Sequence, residues 1–208
     1  SDLTDTRMCN KGTIYVNRTD SATVGSATAA GISGNSGNSS NAYKLVGNAG
    51  DFIIEKDIKS AYIAGITNGA ISLYNCYNDG SIRTEDNAPL SPNNEVRICG
   101  ISGGSNATAS YNLTNCYNNK DINVDFSAAS GTVRIAGIVN YMTLSSCENY
   151  GNINVNIDTF NGSTYIAGVA NSSPSVVDCN NSGDIAVNVL DQSSSLFVAG
   201  VSGGINQN

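Results

Sequence analysis

Three carboxylates recur at one spacing. Glu55, Glu85 and Asp125 each lie nine residues beyond Val46, Cys76 and Cys116, inside a phrase that the chain repeats. If copies of the phrase stack on one another, these carboxyl groups come within about 5–10 Å of each other. Like charges that close require a bound cation or raised pKa values. The trio is therefore a candidate Ca²⁺ site. With Arg83 beside it, the trio is also a candidate acid cluster for polysaccharide cleavage. The plainer reading is that the strand ends here and the side chains splay into water.

A second set combines aromatic and basic residues. Tyr62, Arg97, Arg134, Tyr165 and Phe197 each stand one residue before an Ile or Val that is followed by Ala-Gly or Cys-Gly. On a strand this places them outward while the Ile or Val points inward. A stripe of Tyr, Arg and Phe is a candidate binding face, because these types are enriched at binding hot spots. Ordinary β-propensity of aromatic residues on a solvated face is the alternative.

A third set is Cys76, Cys116, Cys147 and Cys179, with Met8 and Val46 in the equivalent place of two earlier copies. Thiolates in a column could ligate metal or form disulfides. Met and Val in the same column favour a buried apolar stack, since free Cys packs as a small hydrophobe. Side chains that point the same way in a parallel stack also make poor disulfide geometry. The chain has no histidine and no tryptophan. Imidazole acid/base chemistry, His-ligated metals and sugar stacking on Trp are thereby excluded.

These residues are positioned by two alternating phrases. The first is Cys-x-Asn-x-Gly-x-Ile-x-Val, clearest at Cys147-Glu148-Asn149-Tyr150-Gly151-Asn152-Ile153-Asn154-Val155. Its Asn recurs at 10, 48, 78, 118, 149 and 181, which suggests a structural ladder of stacked amides. The Gly two residues on suggests a positive-φ turn position. The second phrase ends in Ala-Gly-Ile or Ala-Gly-Val, or Cys-Gly-Ile in one copy, with Gly at 31, 65, 100, 137, 168 and 200. A period of 31 to 37 residues marks a solenoid or a propeller. A third apolar segment, such as Leu73, Leu113, Leu144 or Val176, lies between the phrases. Each period thus holds three short strands with β-type alternation. A propeller blade needs four strands and regular hairpin turns, which are missing.

The predicted fold is all-β: a right-handed parallel β-helix (β-solenoid) of about six three-stranded coils, occupying residues 1–208 as one domain. Longer loops are expected at 34–40, 85–94 and 103–110.

Composition narrows the partners. The net charge is −7 and the pI about 4.3. That argues against nucleic acid or an anionic membrane surface. No apolar run is long enough to span a bilayer. Only 13% of residues are charged and 40% are hydrophobic, which argues against disorder. The chain starts and stops within a repeat, so it reads as a mature form or as a fragment with the rest of the polypeptide at both ends.

The pairing of Ala64-Gly65-Ile66 with Asn75 to Ile82, and of Cys99-Gly100-Ile101 with Asn115 to Ile122, resembles the GLUG-type repeats of bacterial surface proteins. The later copies, at Ser146-Cys147-Glu148 and Asp178-Cys179-Asn180, match less well. The resemblance implies an extracellular or cell-surface, adhesin-like module that binds glycan or a host protein, and it supplies no catalytic residues. The alternative expectation is a carbohydrate-active β-helix lyase or hydrolase. No cofactor is expected other than Ca²⁺ at the acidic column.

Overall fold

The structure, a computed structural model, describes residues 8–16, 26–34, 42–55, 60–69, 71–85, 94–104, 111–192 and 195–203. The expected loop insertions lie largely outside these residues.

Among the described residues, 23 strands form four sheets, and the pairings between them are parallel and join equivalent positions of successive repeats. The isoleucine sheet contains Ile14–Val16, Phe52–Ile54, Ile82–Thr84, Ile122–Ala129, Ile153–Phe160 and Ile185–Gln192. The alanine sheet contains Ser26–Ala30, Ser60–Ala64, Val96–Cys99, Val133–Ala136, Thr164–Ala167 and Leu196–Ala199. The leucine sheet runs from Ala42–Lys44 to Val176–Val177. The asparagine sheet is made of two-residue strands, from Cys9–Asn10 to Asn180–Asn181. This is a parallel β-solenoid. Among the described residues three sheets have six strands and the leucine sheet has five.

Two expectations need correction. The coil has four strands, not three. The residue before the cysteine column takes a left-handed backbone: Leu45 (φ 54°), Asn75 (53°), Asn115 (52°), Ser146 (53°) and Asp178 (51°). Asn and Asp tolerate that region better than most residues. The chain bends there, so the expected second strand stops before the cysteine and a separate short strand follows it. Asn115 Nδ2 donates to Asn75 Oδ1 at 3.2 Å, which ties two of these bends together.

The glycines are needed for space rather than for positive φ, which no described glycine adopts. A Cβ on Gly50, Gly80, Gly151 or Gly183 would lie 2.0 Å from the carbonyl oxygen of Gly12, Gly50, Lys120 or Gly151 in the preceding coil. Lys120 takes the place of glycine in one coil, and nothing in the structure explains it. In the second column the obstruction comes from the following coil. A Cβ on Gly31, Gly65, Gly100, Gly137 or Gly168 would meet the next glycine's carbonyl oxygen at 2.0 to 2.3 Å. It would also strike an asparagine side chain of the ladder, such as Asn118 Cγ at 2.5 Å from Gly100.

The asparagine ladder thus lies against a wall of bare backbone. Nδ2 of Asn10, Asn48, Asn78, Asn118 and Asn149 donates to Oδ1 of the next asparagine at 2.7 to 2.8 Å. The second N–H of each amide reaches the carbonyl two residues on, as Asn78 does to Gly80 O at 2.7 Å. Asn48, Asn78, Asn118 and Asn149 are fully buried with these bonds made. A buried amide is tolerated on that condition.

The apolar interior forms two bodies. One joins the isoleucine and alanine sheets through Phe52, Ile63, Ile82, Ile98, Ile122 and Ile135. The other joins Leu73, Leu113 and Leu144 to the buried cysteines and to Ile66, Ile101 and Ile138. In the last three coils the isoleucine strand is eight residues long, and a further inward apolar residue, Phe126, Ile157 or Val189, follows Val124, Val155 or Val187.

Candidate functional site

The alanine sheet aligns the predicted aromatic and basic residues. Thr28, Tyr62, Arg97, Arg134, Tyr165 and Phe197 form one register column. Pleating turns their neighbours Ile63, Ile98, Ile135 and Ile166 into the core at 0% exposure. The side chains stack along the column. The Arg97 guanidinium lies over the Tyr62 ring at 5.1 Å, and that of Arg134 over the Tyr165 ring at 5.3 Å. The rings of Tyr165 and Phe197 stack at 5.0 Å, 8° from parallel.

Sequence reasoning missed Glu95. Its carboxylate accepts a hydrogen bond from Arg97 Nη2 at 2.6 Å and another from Arg134 Nη1. The Tyr62 hydroxyl approaches the same carboxylate at 3.5 Å. Glu95 stands outside both repeated phrases, just ahead of the Val96–Cys99 strand, so no periodic signal pointed to it. Among the described residues of this column, one carboxylate against two guanidiniums leaves a net charge of +1, on a chain whose net charge is −7. The stacking covers ring faces inside the column. Tyr62, Arg97, Arg134 and Tyr165 are partly exposed, and the ring of Phe197 at the end of the column is half-exposed.

The acidic column is spread along one edge of the isoleucine sheet. Glu55 N donates to Val16 O and Glu85 N to Ile54 O, both at 2.9 Å, and Asp125 N donates to Thr84 Oγ1 at 3.2 Å. The three residues thus fall in successive coils as expected. Glu55 is half-buried; Glu85 and Asp125 are exposed. Asp125 lies within its eight-residue strand rather than at a strand end, and Asn156 Nδ2 donates to Asp125 Oδ1 at 2.7 Å. Arg83 shares a register column with Ile53 and Asn123, two residues back along the strand. Among the described residues, no three of His, Cys, Asp and Glu converge closely enough to hold a metal ion.

All six cysteines are free thiols. Cys76, Cys116 and Cys147 are buried in the second apolar body, where they donate to backbone carbonyls such as Leu73 O and Leu113 O. Cys99 lies in register with Ala64 and Ala136. Complete burial pushes its thiol up to about 12 from the ordinary 9.0. Cys9 falls opposite Gly47 in the asparagine sheet, one place off the cysteine column, and is exposed. Brief iodoacetamide treatment of the native chain should therefore alkylate Cys9 fully and half-buried Cys179 slowly. The other four should react only after unfolding, as peptide mass mapping would show; fast labelling of Cys116 would contradict this packing.

Cys99 also sets a sign for alkaline stability. Above pH 9 the unfolded chain ionises this thiol while the folded chain keeps it protonated. Stability is therefore intact below pH 9 and falls by about 1 kcal/mol per pH unit toward pH 12. Cys99→Ala, which matches its column neighbours, should flatten that fall in denaturant titrations at pH 8 and pH 11.

Fold and ladders together define a parallel β-solenoid repeat protein that carries an outward column of stacked aromatic and basic side chains. Compared with protein-family models, with curated proteins and with solved structures, the chain matches none.

Proposed function

We propose that the chain is a non-enzymatic, adhesin-like repeat module of a bacterial cell surface. It holds the Tyr62–Arg97–Arg134–Tyr165–Phe197 column as a stiff binding face for glycan or for a glycan-bearing host protein. The observation that supports this is the in-register column itself, backed by buried isoleucines and braced by Glu95. Parallel pairing on both sides fixes the spacing of these side chains before a ligand arrives, which lowers the ordering cost of binding. Hydroxyl and guanidinium edges suit hydroxyl-rich sugars, and the net positive charge favours sugars that carry carboxylates.

A glycan array followed by calorimetry tests the reading. Binding to a carboxylated glycan should weaken at least tenfold in Arg134→Ala and in Tyr165→Ala, and should fall with salt. Tyr15→Ala, exposed on the isoleucine sheet, should bind as the parent does. No ligand on the array, or equal binding by all three variants, would remove the proposal.

A further inference from the structure

The aromatic and basic column has a polar column beside it. Ser60, Glu95, Thr132 and Ser163 stand two residues before Tyr62, Arg97, Arg134 and Tyr165. Pleating therefore sends both sets to the same outward face. Backbone bonds keep the second set in register from coil to coil. Ala61 N donates to Glu95 O at 3.3 Å, Val96 N to Thr132 O at 2.8 Å and Val133 N to Ser163 O at 3.0 Å. Glu95, Thr132 and Ser163 are partly exposed; Ser60 is buried, and its hydroxyl donates to Glu95 O at 2.9 Å.

The outward face ends just beyond the aromatic and basic column. Ala64, Cys99, Ala136 and Ala167 stand two residues further on, on the same side of the pleat, yet all four are at 0% exposure. The corner that follows each strand covers them. Asn68 Nδ2 reaches back to Tyr62 O at 2.8 Å and to Ala29 O at 2.6 Å. A Cβ on Gly103, at the next corner, would come within 3.8 Å of the Ala64 Cβ. Across the strands the open face is thus two side chains wide, and these are roughly 6.5 Å apart. Down the stack the column passes from Tyr62 through Arg97 and Arg134 to Tyr165 in unbroken register, at about 4.8 Å per coil. The face is a track, narrow across the strands and long along the solenoid axis.

The side chains on the track favour one kind of polymer. Single-stranded nucleic acid binds by stacking its bases on free aromatic faces. Here the rings are already engaged: Arg97 lies over Tyr62, and both Arg134 and Phe197 lie against Tyr165. Guanidiniums bond carboxylates strongly, and the side chains of Thr132 and Ser163 bond hydroxyls. A polymer rich in both groups is an acidic polysaccharide.

We propose that the ligand of this face is a linear polyuronate laid along the solenoid axis, with about one sugar per coil. This rests on the reading of the column as a glycan-binding face, and adds the class of glycan and its direction. An extended sugar chain advances by close to one coil spacing per ring. Rings over the coils of Arg97, Arg134 and Tyr165 then meet Glu95, Thr132 and Ser163 at their other edge. Arg97 and Arg134, in adjacent coils, receive the carboxylates of neighbouring sugars. A chain laid across the strands would meet the side chains of one coil and then the closed corner.

Calorimetry with galacturonate and mannuronate oligomers of two and four sugars tests this. One of the tetrasaccharides should bind about tenfold or more tighter than its disaccharide, because added rings reach added coils. A nitroxide label on the reducing end of that tetrasaccharide gives the direction. It should broaden amide NMR signals at one end of the column, beside Tyr62 or beside Tyr165, and spare the other end. Equal affinity for the two lengths, with both weakened by Arg134→Ala, would overturn the axial track and leave the glycan-binding face standing. Broadening centred on Arg97 and Arg134 alike would do the same. No binding of either sugar at either length would overturn the polyuronate class, whereas the binding face itself falls only with an empty glycan array. Tighter binding of a short oligothymidylate than of either tetrasaccharide would overturn the proposal in favour of nucleic acid.

Discussion

Asn118→Ala is expected to destabilise the chain by on the order of 4–6 kcal/mol, a large part of the usual 5–15 kcal/mol of a folded domain. Asn118 is fully buried and makes three bonds: it receives from Asn78 at 2.8 Å and donates to Asn149 Oδ1 at 2.7 Å and to Lys120 O at 2.8 Å. Alanine removes all three and leaves two amide groups and a carbonyl without partners in a site closed to water. Each stranded buried group costs about 1–3 kcal/mol. For a chain of this length the melting temperature should drop by roughly 8–20 °C. Asn118→Asp should be worse at neutral pH, because it sets an unpaired carboxylate against two acceptor oxygens. Asn10→Ala provides the comparison: this residue opens the ladder, is half-buried and has one ladder neighbour, so its loss should cost clearly less. Equal losses for Asn10→Ala and Asn118→Ala in denaturant unfolding would show that the ladder's bonds do not carry the stability assigned to them.

Gly137→Ala should be nearly as damaging, for a different reason. Its Cβ would sit 2.1 Å from Gly168 O and 2.3 Å from Asn149 Cγ, far inside contact distance. Neither obstacle is the end of a flexible side chain: one is strand-flanking backbone and the other is a rung bonded on both sides. Coils must separate or the rung must break, so the cost is expected above the 1–3 kcal/mol typical of overpacking. The same substitution at Gly200, in the same column, meets nothing among the described residues and should leave the melting temperature unchanged. The pair isolates steric closeness between coils from any intrinsic preference for glycine in that backbone. If Gly200→Ala proves as destabilising as Gly137→Ala, conformational freedom and not space is what the column requires.

Both lesions bear on function through the same geometry. A solenoid's stability is close to a sum over coils and their interfaces. A break at Asn118 or Gly137 falls in the middle of the stack, beneath the coils that carry Arg97, Arg134 and Tyr165. Loss of binding in these variants would follow loss of register, whereas Arg134→Ala should lose binding with the fold intact.

The repeat period, the parallel stacking, the inward Ile and Leu columns and the asparagine ladder were legible in the sequence because each is carried by side-chain type at a fixed spacing. Alternation of period two tells inside from outside on any strand, and a column six residues deep leaves little choice of register. The outward order of Tyr62, Arg97, Arg134, Tyr165 and Phe197 follows from the same rule. The fourth strand was not legible. The bend that creates it falls on Leu45, Asn75, Asn115, Ser146 and Asp178; the three Asn and Asp residues suit that backbone, but Leu45 and Ser146 carry no such signal. The role of glycine was hidden in a similar way, since a residue needed for space and one needed for positive φ look alike in a sequence. Glu95 bridges two arginines across neighbouring coils, and only the stack brings that position beside both. Properties carried by side-chain identity and local periodicity were thus determined by the sequence alone. Contacts between coils, set by a backbone spacing that no single repeat contains, were decided by the tertiary structure.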